Sequence, residues 1–447
     1  MNTTPEQEIQ ESLLEELEAE RFERVRDHLR GLHPSEIADL LESQPSRNRE
    51  LIWKLVDPAM AGRVLSHALD SVRAGLLEAM SPQEVAEATR GLDPDDLADI
   101  LNDLPEGMAD SVLLSMDIQN RERLASVLSY PEDTAGGLMN LDVVPVRADV
   151  TLDVVARYLR RLGELPEQTD SLMVVDRHNR FIGVLRLTDI LTRKPDTTVG
   201  ELLDPGVEIP ADTPAREVAR LFEQRDLVSA AVVDGNGVLL GRITVDDVVD
   251  VIQEQADHTV RSLAGLTDDD MFAPVLHSAR RRAVWLGVNL CTAFIAASVV
   301  GRFQDTIQQL VALAVLMPVV ASMGGVAGNQ TLTVTVRGLA LGHVVRRNIR
   351  PLLQKELSVG ILNGLLWALV VAVIAVLWFH NPKLGLIMAA AMIINLIMGA
   401  LAGAAIPLVL KRLGVDPAIA GGILLTTVTD VVGFLTFLGL ATLFLVK

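Results

Sequence analysis

Five apolar stretches, at residues 283–301, 308–336, 357–379, 384–410 and 418–446, follow one another in the last part of this 447-residue chain. Each is long enough to cross about 30 Å of hydrocarbon as a helix. Hydrocarbon offers no partner for a backbone N–H or C=O, so stretches of this length are restricted to helical spans. Their basic flanks predict the orientation. Arg280, Arg281 and Arg282 precede the first stretch; Arg337, Arg346, Arg347, Arg350 and Lys355 lie around the second connection, and Lys411 and Arg412 around the fourth. The opposite side has only Arg302, Lys383 and Lys447. An excess of Lys and Arg marks the cytosolic side, which places the amino terminus in the cytosol and, after an odd number of spans, the carboxyl terminus outside.

Composition changes near residue 270. From Met271 onward there are thirteen Lys and Arg against four acids (Asp305, Glu356, Asp416 and Asp430), a net +9; the first 270 residues hold 54 acids and 26 bases, a net −28. An acidic, water-soluble part is therefore joined to a membrane part, and nucleic acid is an unfavourable partner for the former. The start, Met1-Asn2-Thr3-Thr4-Pro5-Glu6-Gln7-Glu8, has neither the basic nor the apolar region of a signal peptide. Cys291 is the single cysteine, so the chain forms no internal disulfide. Both features fit a cytosolic amino-terminal part.

Asp430 lies in the middle of the last apolar stretch, after Thr426-Thr427-Val428-Thr429. An ionised carboxylate at that depth costs at least about 2.5 to 3.5 kcal/mol, and such groups normally face a partner or a water-filled path. The simplest use for it is to hold a cation; the alternative is a protonated Asp bonded to a neighbouring helix. In the second stretch Pro318 removes a helix hydrogen bond, while Gly324, Gly325 and Gly328 allow close approach, with Asn329 and Gln330 adjacent. Gly324 and Gly328 form a G-x-x-x-G, as do Gly399 and Gly403. The expectation is helix packing for the 399 pair and a path with freed carbonyls for the second stretch.

The soluble part contains two repeats. Gly31-Leu32-His33-Pro34-Ser35-Glu36-Ile37-Ala38-Asp39-Leu40-Leu41-Glu42 returns as Gly91-Leu92-Asp93-Pro94-Asp95-Asp96-Leu97-Ala98-Asp99-Ile100-Leu101-Asn102, with weaker copies at Val56-Asp57-Pro58 and Met80-Ser81-Pro82. A proline suited to the first helical turn, then apolar residues at helical spacing, predicts a solenoid-like stack of short helices over about 10–130. The second repeat mixes elements: a helix from Thr151, strands at Ser171-Leu172-Met173-Val174-Val175 and Phe181-Ile182-Gly183-Val184-Leu185, then a helix near Asp189. The same order returns from Pro214, through Ser229-Ala230-Ala231-Val232-Val233 and Val238-Leu239-Leu240-Gly241-Arg242, to Asp247.

This tandem resembles a CBS-domain pair, which implies clefts that bind adenosine nucleotides or metal ions. Asp189 and Asp247 stand where that family places a ribose-binding acid, although either one also suits a helix cap. With the tandem in place the whole chain resembles the MgtE family of magnesium channels. The segment Tyr130-Pro131-Glu132-Asp133-Thr134-Ala135-Gly136-Gly137-Leu138-Met139 carries part of that likeness. The more specific motifs are Pro318-Val319-Val320-Ala321-Ser322-Met323-Gly324-Gly325-Val326-Ala327-Gly328-Asn329-Gln330 and Thr426-Thr427-Val428-Thr429-Asp430. The resemblance implies a multidomain membrane protein: an all-α helical-repeat domain (1–130), two α/β CBS domains (131–200 and 201–252), a connecting helix (253–274) and a five-helix transmembrane domain (275–447). It implies a homodimer in the plasma membrane that carries Mg²⁺ inward. Pro318, Gly325, Gly328, Asn329, Thr426 and Asp430 would line the pore, and Asp430 from two subunits would face one dication. Where the family commonly has Asn this chain has Val326, and Gln255, His258 and Thr259 stand where acids are common.

The acidic excess predicts control by the same ion. Asp95, Asp96 and Asp99 with Asp93 on the helical module, and Asp212, Asp226, Asp247 and Asp250 with Asp246 on the second CBS unit, repel unless bridged, so cytosolic Mg²⁺ would hold the parts together and close the pore. A solvated acidic surface is the simpler alternative for any one of them. Two other classes compete with a magnesium channel. A CBS-regulated carrier of Co²⁺, Ni²⁺ or a proton-coupled solute is separable by ion competition. An intramembrane enzyme is disfavoured, since neither H-E-x-x-H nor G-x-S-x-G occurs.

Overall fold

The structure, a computed structural model, describes residues 12–17, 19–90, 92–104, 107–116, 118–166, 168–263, 272–273 and 275–445. It divides into two compact units, one essentially Met1–Ala256 and the other Pro274–Lys447 together with residues 257–268.

Proline-initiated helices build the first part of the soluble unit. Helices α1 (Phe22–Leu29), α2 (Pro34–Glu42), α3 (Ser46–Trp53), α4 (Pro58–His67), α5 (Asp70–Glu78), α6 (Pro82–Ala88), α7 (Pro94–Asn102), α8 (Met108–Ser115) and α9 (Ile118–Val127) follow in order. The four repeated motifs open α2, α4, α6 and α7, each with Pro at the first helical position. Ser81 and Glu84 close a reciprocal capping box on α6, and Asp57 accepts from the Ala59 N–H at 3.1 Å on α4. Helices this short hold no stable structure alone, so their stability is tertiary. Ile37, Leu40, Leu41, Ile52, Val64, Leu65, Leu76, Leu77 and Ile100 share one buried core. Arg73 is buried there and is held by Asp103 at 2.5 Å and Asp70 at 2.8 Å.

Two equivalent α/β halves follow. The first contains β1 (Pro145–Arg147), α10 (Leu152–Leu162), β2 (Ser171–Val175), β3 (Phe181–Arg186) and α11 (Leu187–Thr192). The second contains β4 (Glu208–Pro210), α12 (Ala215–Arg225), β5 (Ser229–Val233), β6 (Leu239–Thr244) and α13 (Val245–Leu263). In each, the first strand runs parallel to the second, and the second and third form an antiparallel hairpin with an irregularity at the equivalent pair Val174/Val175 or Val232/Val233. Asp176 and Asp234 close the two hairpin turns by accepting backbone N–H groups, which lowers both carboxyl pKa values. The hairpins join through Phe181 N–H to Gly237 O and Leu239 N–H to Asn179 O, over a shared apolar patch of Met173, Val175, Phe181, Ala231, Val233 and Leu239.

Three details differ from the expectations drawn from the sequence. Short leading strands β1 and β4, absent from the order read in the sequence, complete the two sheets. Residues 131–141, counted with the first CBS domain, pack into the second: Ala135 and Met139 are buried among Ile209, Val218 and Ile243, and Ala135 N–H bonds Thr213 O at 2.7 Å. No break separates the second CBS unit from the connecting segment, because α13 runs from Val245 through Leu263; residues 264–271 and 274 of the expected connecting helix lie outside the described residues.

The membrane unit has five long apolar helices: α14 (Val275–Gly301), then, after short α15 (Gln304–Gln309), α16 (Ala312–Ala340), α17 (Ile349–Phe379), α18 (Pro382–Arg412) and α19 (Pro417–Phe444). The expected second span begins at 308; instead the chain breaks at Leu310 and Val311 between α15 and α16. The central helix is α18, with 56% of its apolar window buried against 6% for α14. Met388, Ala391, Met392 and Leu396 of α18 share a core with Leu313, Val320, Phe437 and Leu438.

Candidate functional site

The membrane site begins with a seam of glycines. A Cβ on Gly399 would lie 2.6 Å from Gly324 O, and one on Gly403 would collide with Gly328 O. The two G-x-x-x-G motifs are therefore packed on each other, backbone to backbone, along α16 and α18. This corrects the expectation for the second stretch: Gly324 and Gly328 are buried in that seam, with Leu425 also against Gly328. Helix α16 also runs unbroken through Pro318, which is exposed.

A different face of α16 carries the polar groups. A Cβ on Gly325 would meet only the Thr429 hydroxyl, at 3.9 Å, so Gly325 lies next to the Thr429-Asp430 turn of α19. One turn on, Asn329 is exposed, as is Val326. Asp430 is half-buried and makes no hydrogen bond or ion pair among the described residues. Thr426 is exposed, its hydroxyl bonded to Gly422 O at 2.9 Å, and Thr429 is fully buried and bonded to Leu425 O and Thr426 O. Hydroxyls that donate to their own helix keep lone pairs free as acceptors. One carboxylate with hydroxyl and amide oxygens is hard-oxygen chemistry suited to a cation that keeps most of its water. Among the described residues no three His, Cys, Asp or Glu side chains gather closely enough to hold a bare metal ion.

Two buried polar groups in this unit are absent from the sequence-based candidates. Asn395 of α18 is fully buried, with its Nδ2 donating to Val320 O at 2.8 Å and its Oδ1 unbonded, and it lies against both Gly324 and Gly433. Glu356 of α17 is 4% exposed and accepts from the Thr331 hydroxyl at 3.0 Å and from Lys355 Nζ at 2.8 Å. The signal that singles out Asp430, a polar side chain inside an apolar run, is present for Asn395, whereas Glu356 stands beside Lys355 just before the third apolar stretch and reads there as a flanking charge.

In the soluble unit, α7 brings its carboxylates to the start of α13. Burial lifts the Asp95 carboxyl well above its ordinary value, helped by Asp247, Asp96 and Asp93, and Asp95 Oδ1 is buried without a hydrogen bond. Burial, then Asp93, Asp247, Asp99 and Asp250, raises Asp96 to about 7. Asp247 is also raised to about 7, by burial and then Asp246, against hydrogen bonds from the Thr244 N–H and hydroxyl. Burial raises Asp250, and His67 opposes it. Desolvation lifts Asp99 to about 6 against the pull of Arg73, but its side chain is largely exposed and solvent weakens that effect. Like charges brought together out of water favour the protonated form or a bridging cation. Asp212 and Asp226 are exposed, and neither figures among the groups that shift these carboxyls; Asp226 instead ends α12 in a left-handed conformation, φ 50°.

The first CBS half has an open surface groove of about 520 Å³ lined by Arg186, Asp189, Arg193, Glu201 and Asp204. Asp189 lies in the first turn of α11 and pairs with Arg193 at 3.2 Å. Asp247 instead accepts from the N–H of Thr244, the residue just before α13, a capping role.

Five apolar helices with one carboxylate open at mid-helix, attached to a helical-repeat domain and a CBS pair, define a multi-pass membrane transporter of divalent cations. The family described as divalent cation transporter, MgtE, matches residues 317–440, the MgtE intracellular N domain matches 32–133, and CBS domains match 135–196 and 199–254. The chain belongs to the MgtE family of magnesium transporters, a transporter rather than an enzyme family. It is 34% identical to the magnesium transporter MgtE of Thermus thermophilus over 98% of this chain and 99% of that one, and 30% identical to that of Bacillus subtilis over 93% and 92%. Among solved structures it is similar to the cytosolic domain of the Mg²⁺ channel MgtE in complex with ATP, at 34% identity and TM-score 0.50, over 54% of this chain and 99% of that one.

Proposed function

We propose that this protein is a Mg²⁺-selective channel that mediates magnesium uptake across the plasma membrane, with its amino terminus in the cytosol and its carboxyl terminus outside. The observation that carries the reading is Asp430, half-buried at mid-helix beside Gly325 and without a protein partner among the described residues. Asn329 and Thr426 are open on the single chain. A second copy on a two-fold axis would bring a second Asp430 and enough charge for one hydrated dication, which favours a homodimer.

Flow would be controlled by Mg²⁺ between the acidic face of α7 and the start of α13. Asp95, Asp96 and Asp247, with Asp99 and Asp250 beside them, are the groups whose raised pKa values support this; Asp212 and Asp226 would belong to an outer, solvated part of the field. ATP would occupy the groove beside Asp189, by likeness to the ATP complex of the similar cytosolic domain. A carrier of Co²⁺ or Ni²⁺ is the second reading: Val326, exposed one turn from Asn329, adds no oxygen ligand, and the remaining donors carry no feature that admits Mg²⁺ alone.

The test is influx into liposomes loaded with a Mg²⁺-sensitive dye. The native chain should fill them, Asp430→Ala should not, and excess Co²⁺ or Ni²⁺ should compete weakly. Equal influx by both chains would refute the role of Asp430, and stronger competition by Co²⁺ or Ni²⁺ would select the second reading.

A further inference from the structure

Of the four acids in the membrane part, Asp416 caps α19 and Asp430 stands beside Gly325; of the other two, Asp305 is exposed on short α15 and Glu356 is buried. Glu356 lies in a cavity of about 130 Å³ whose polar lining is Gln330, Thr331, Lys355, Glu356 and Asn363. At about 30 Å³ per water this is room for about four water molecules. Helices α16 and α17 form its sides, and Leu396 and Ala400 of α18 contribute apolar wall. Thr331 follows Asn329 by two residues on α16, about 200° around the helix, so the cavity lies on the side of α16 that faces α17, away from Asn329, and on the half of the bundle flanked by Arg337, Arg346 and Arg347.

We propose that this cavity is a second cation site, in which Glu356 and the oxygens of Thr331, Gln330 and Asn363 hold a hydrated divalent cation between the Asp430 level and the basic connection. A dication that keeps its water needs one or two carboxylates and several neutral oxygens, which is the set present. The ammonium of Lys355 marks the position: it sits 2.8 Å from Glu356 Oε1, while its own side chain is 63% exposed. It is a tethered cation that reaches in from outside, and it can withdraw to solvent at little cost when an inorganic cation takes its place. Thr331 fixes the other oxygen from the neighbouring helix, which holds the carboxylate toward the cavity. The site rests on the cation-conducting reading of the unit but not on Asp430.

The two neighbours therefore act with opposite sign, which a structural ion pair would not do. Equilibrium Mn²⁺ binding is measured by the electron paramagnetic resonance of free Mn²⁺, on the full-length protein in lipid nanodiscs with Asp430→Ala as background. That background separates failure of this site from failure of the Asp430 reading, which the drop from native chain to Asp430→Ala reports. Adding Glu356→Gln, which keeps an acceptor for Thr331, should remove about one Mn²⁺ per chain or weaken it at least about tenfold, because affinity follows the count of charged ligands. Adding Lys355→Gln should tighten the same class of sites. Lys355→Gln remains informative where Glu356→Gln fails to fold: binding that is unchanged or weaker in Lys355→Gln, or curves that coincide for Glu356→Gln and its background, overturn the proposal.

Discussion

Asp96 offers the sharpest test of the acidic cluster. Its carboxyl is raised from 3.8 to about 7 by burial and by Asp93, Asp247, Asp99 and Asp250. At about 1.36 kcal/mol for each pH unit, that difference amounts to about 4 kcal/mol working against the ionised, apposed state. A carboxyl whose pKa is raised on folding supports the closed arrangement while protonated; that support is complete below 3.8 and is lost as pH rises through about 7. The native chain without Mg²⁺ should therefore lose amide protection along α7 and the start of α13 as pH rises from about 4 to about 7, and Mg²⁺ should restore it. Asp96→Asn removes the titrating charge and keeps the shape, so the Mg²⁺-free variant should hold its protection at about pH 8 and gain little from Mg²⁺. Hydrogen exchange followed by mass spectrometry on the full chain reads this directly. Matching protection in native and variant chains at about pH 8, with the same response to Mg²⁺, would refute the idea that like-charge repulsion drives the opening.

Three further outcomes follow from the geometry. Gly399→Val would drive Cβ to 2.6 Å from Gly324 O, an overpacking of about 1–3 kcal/mol or more; the Tm in detergent should fall, whereas Gly439→Ala, with open space around it, should not lower it. Asn395→Ala removes the bond to Val320 O and leaves a void, so stability should drop by about 1–3 kcal/mol and Mg²⁺ influx should slow, as measured by denaturation and dye-filled liposomes. Asp189→Ala should weaken ATP binding by about tenfold in calorimetry on the full chain if its carboxylate holds a ribose, and equal affinity would leave it a partner of Arg193 alone.

Which segments lie in which solvent, and how each begins, is legible in the order of residues. Prolines at 34, 58, 82 and 94 set four helix starts because the missing N–H costs nothing there. Both hairpins follow from short apolar runs around an Asp turn, and five spans follow from length and hydropathy. What a helix touches is set by the rotational phase of its neighbours, and the spacing of residues along one chain does not carry that information. Four glycines at G-x-x-x-G spacing read alike, yet only the packing of α16 on α18 shows that Gly324 and Gly328 face Gly399 and Gly403 while Gly325 faces Thr429. The same holds for charge. Any of the acidic side chains along the soluble part would serve equally as solvated surface. The apposition of α7 with α13 removes water from Asp95, Asp96 and Asp247 and leaves Asp212 and Asp226 in it. Burial and like-charge proximity are properties of the assembled unit, so the carboxyls with raised pKa values are distinguished from their neighbours only once the helices are packed.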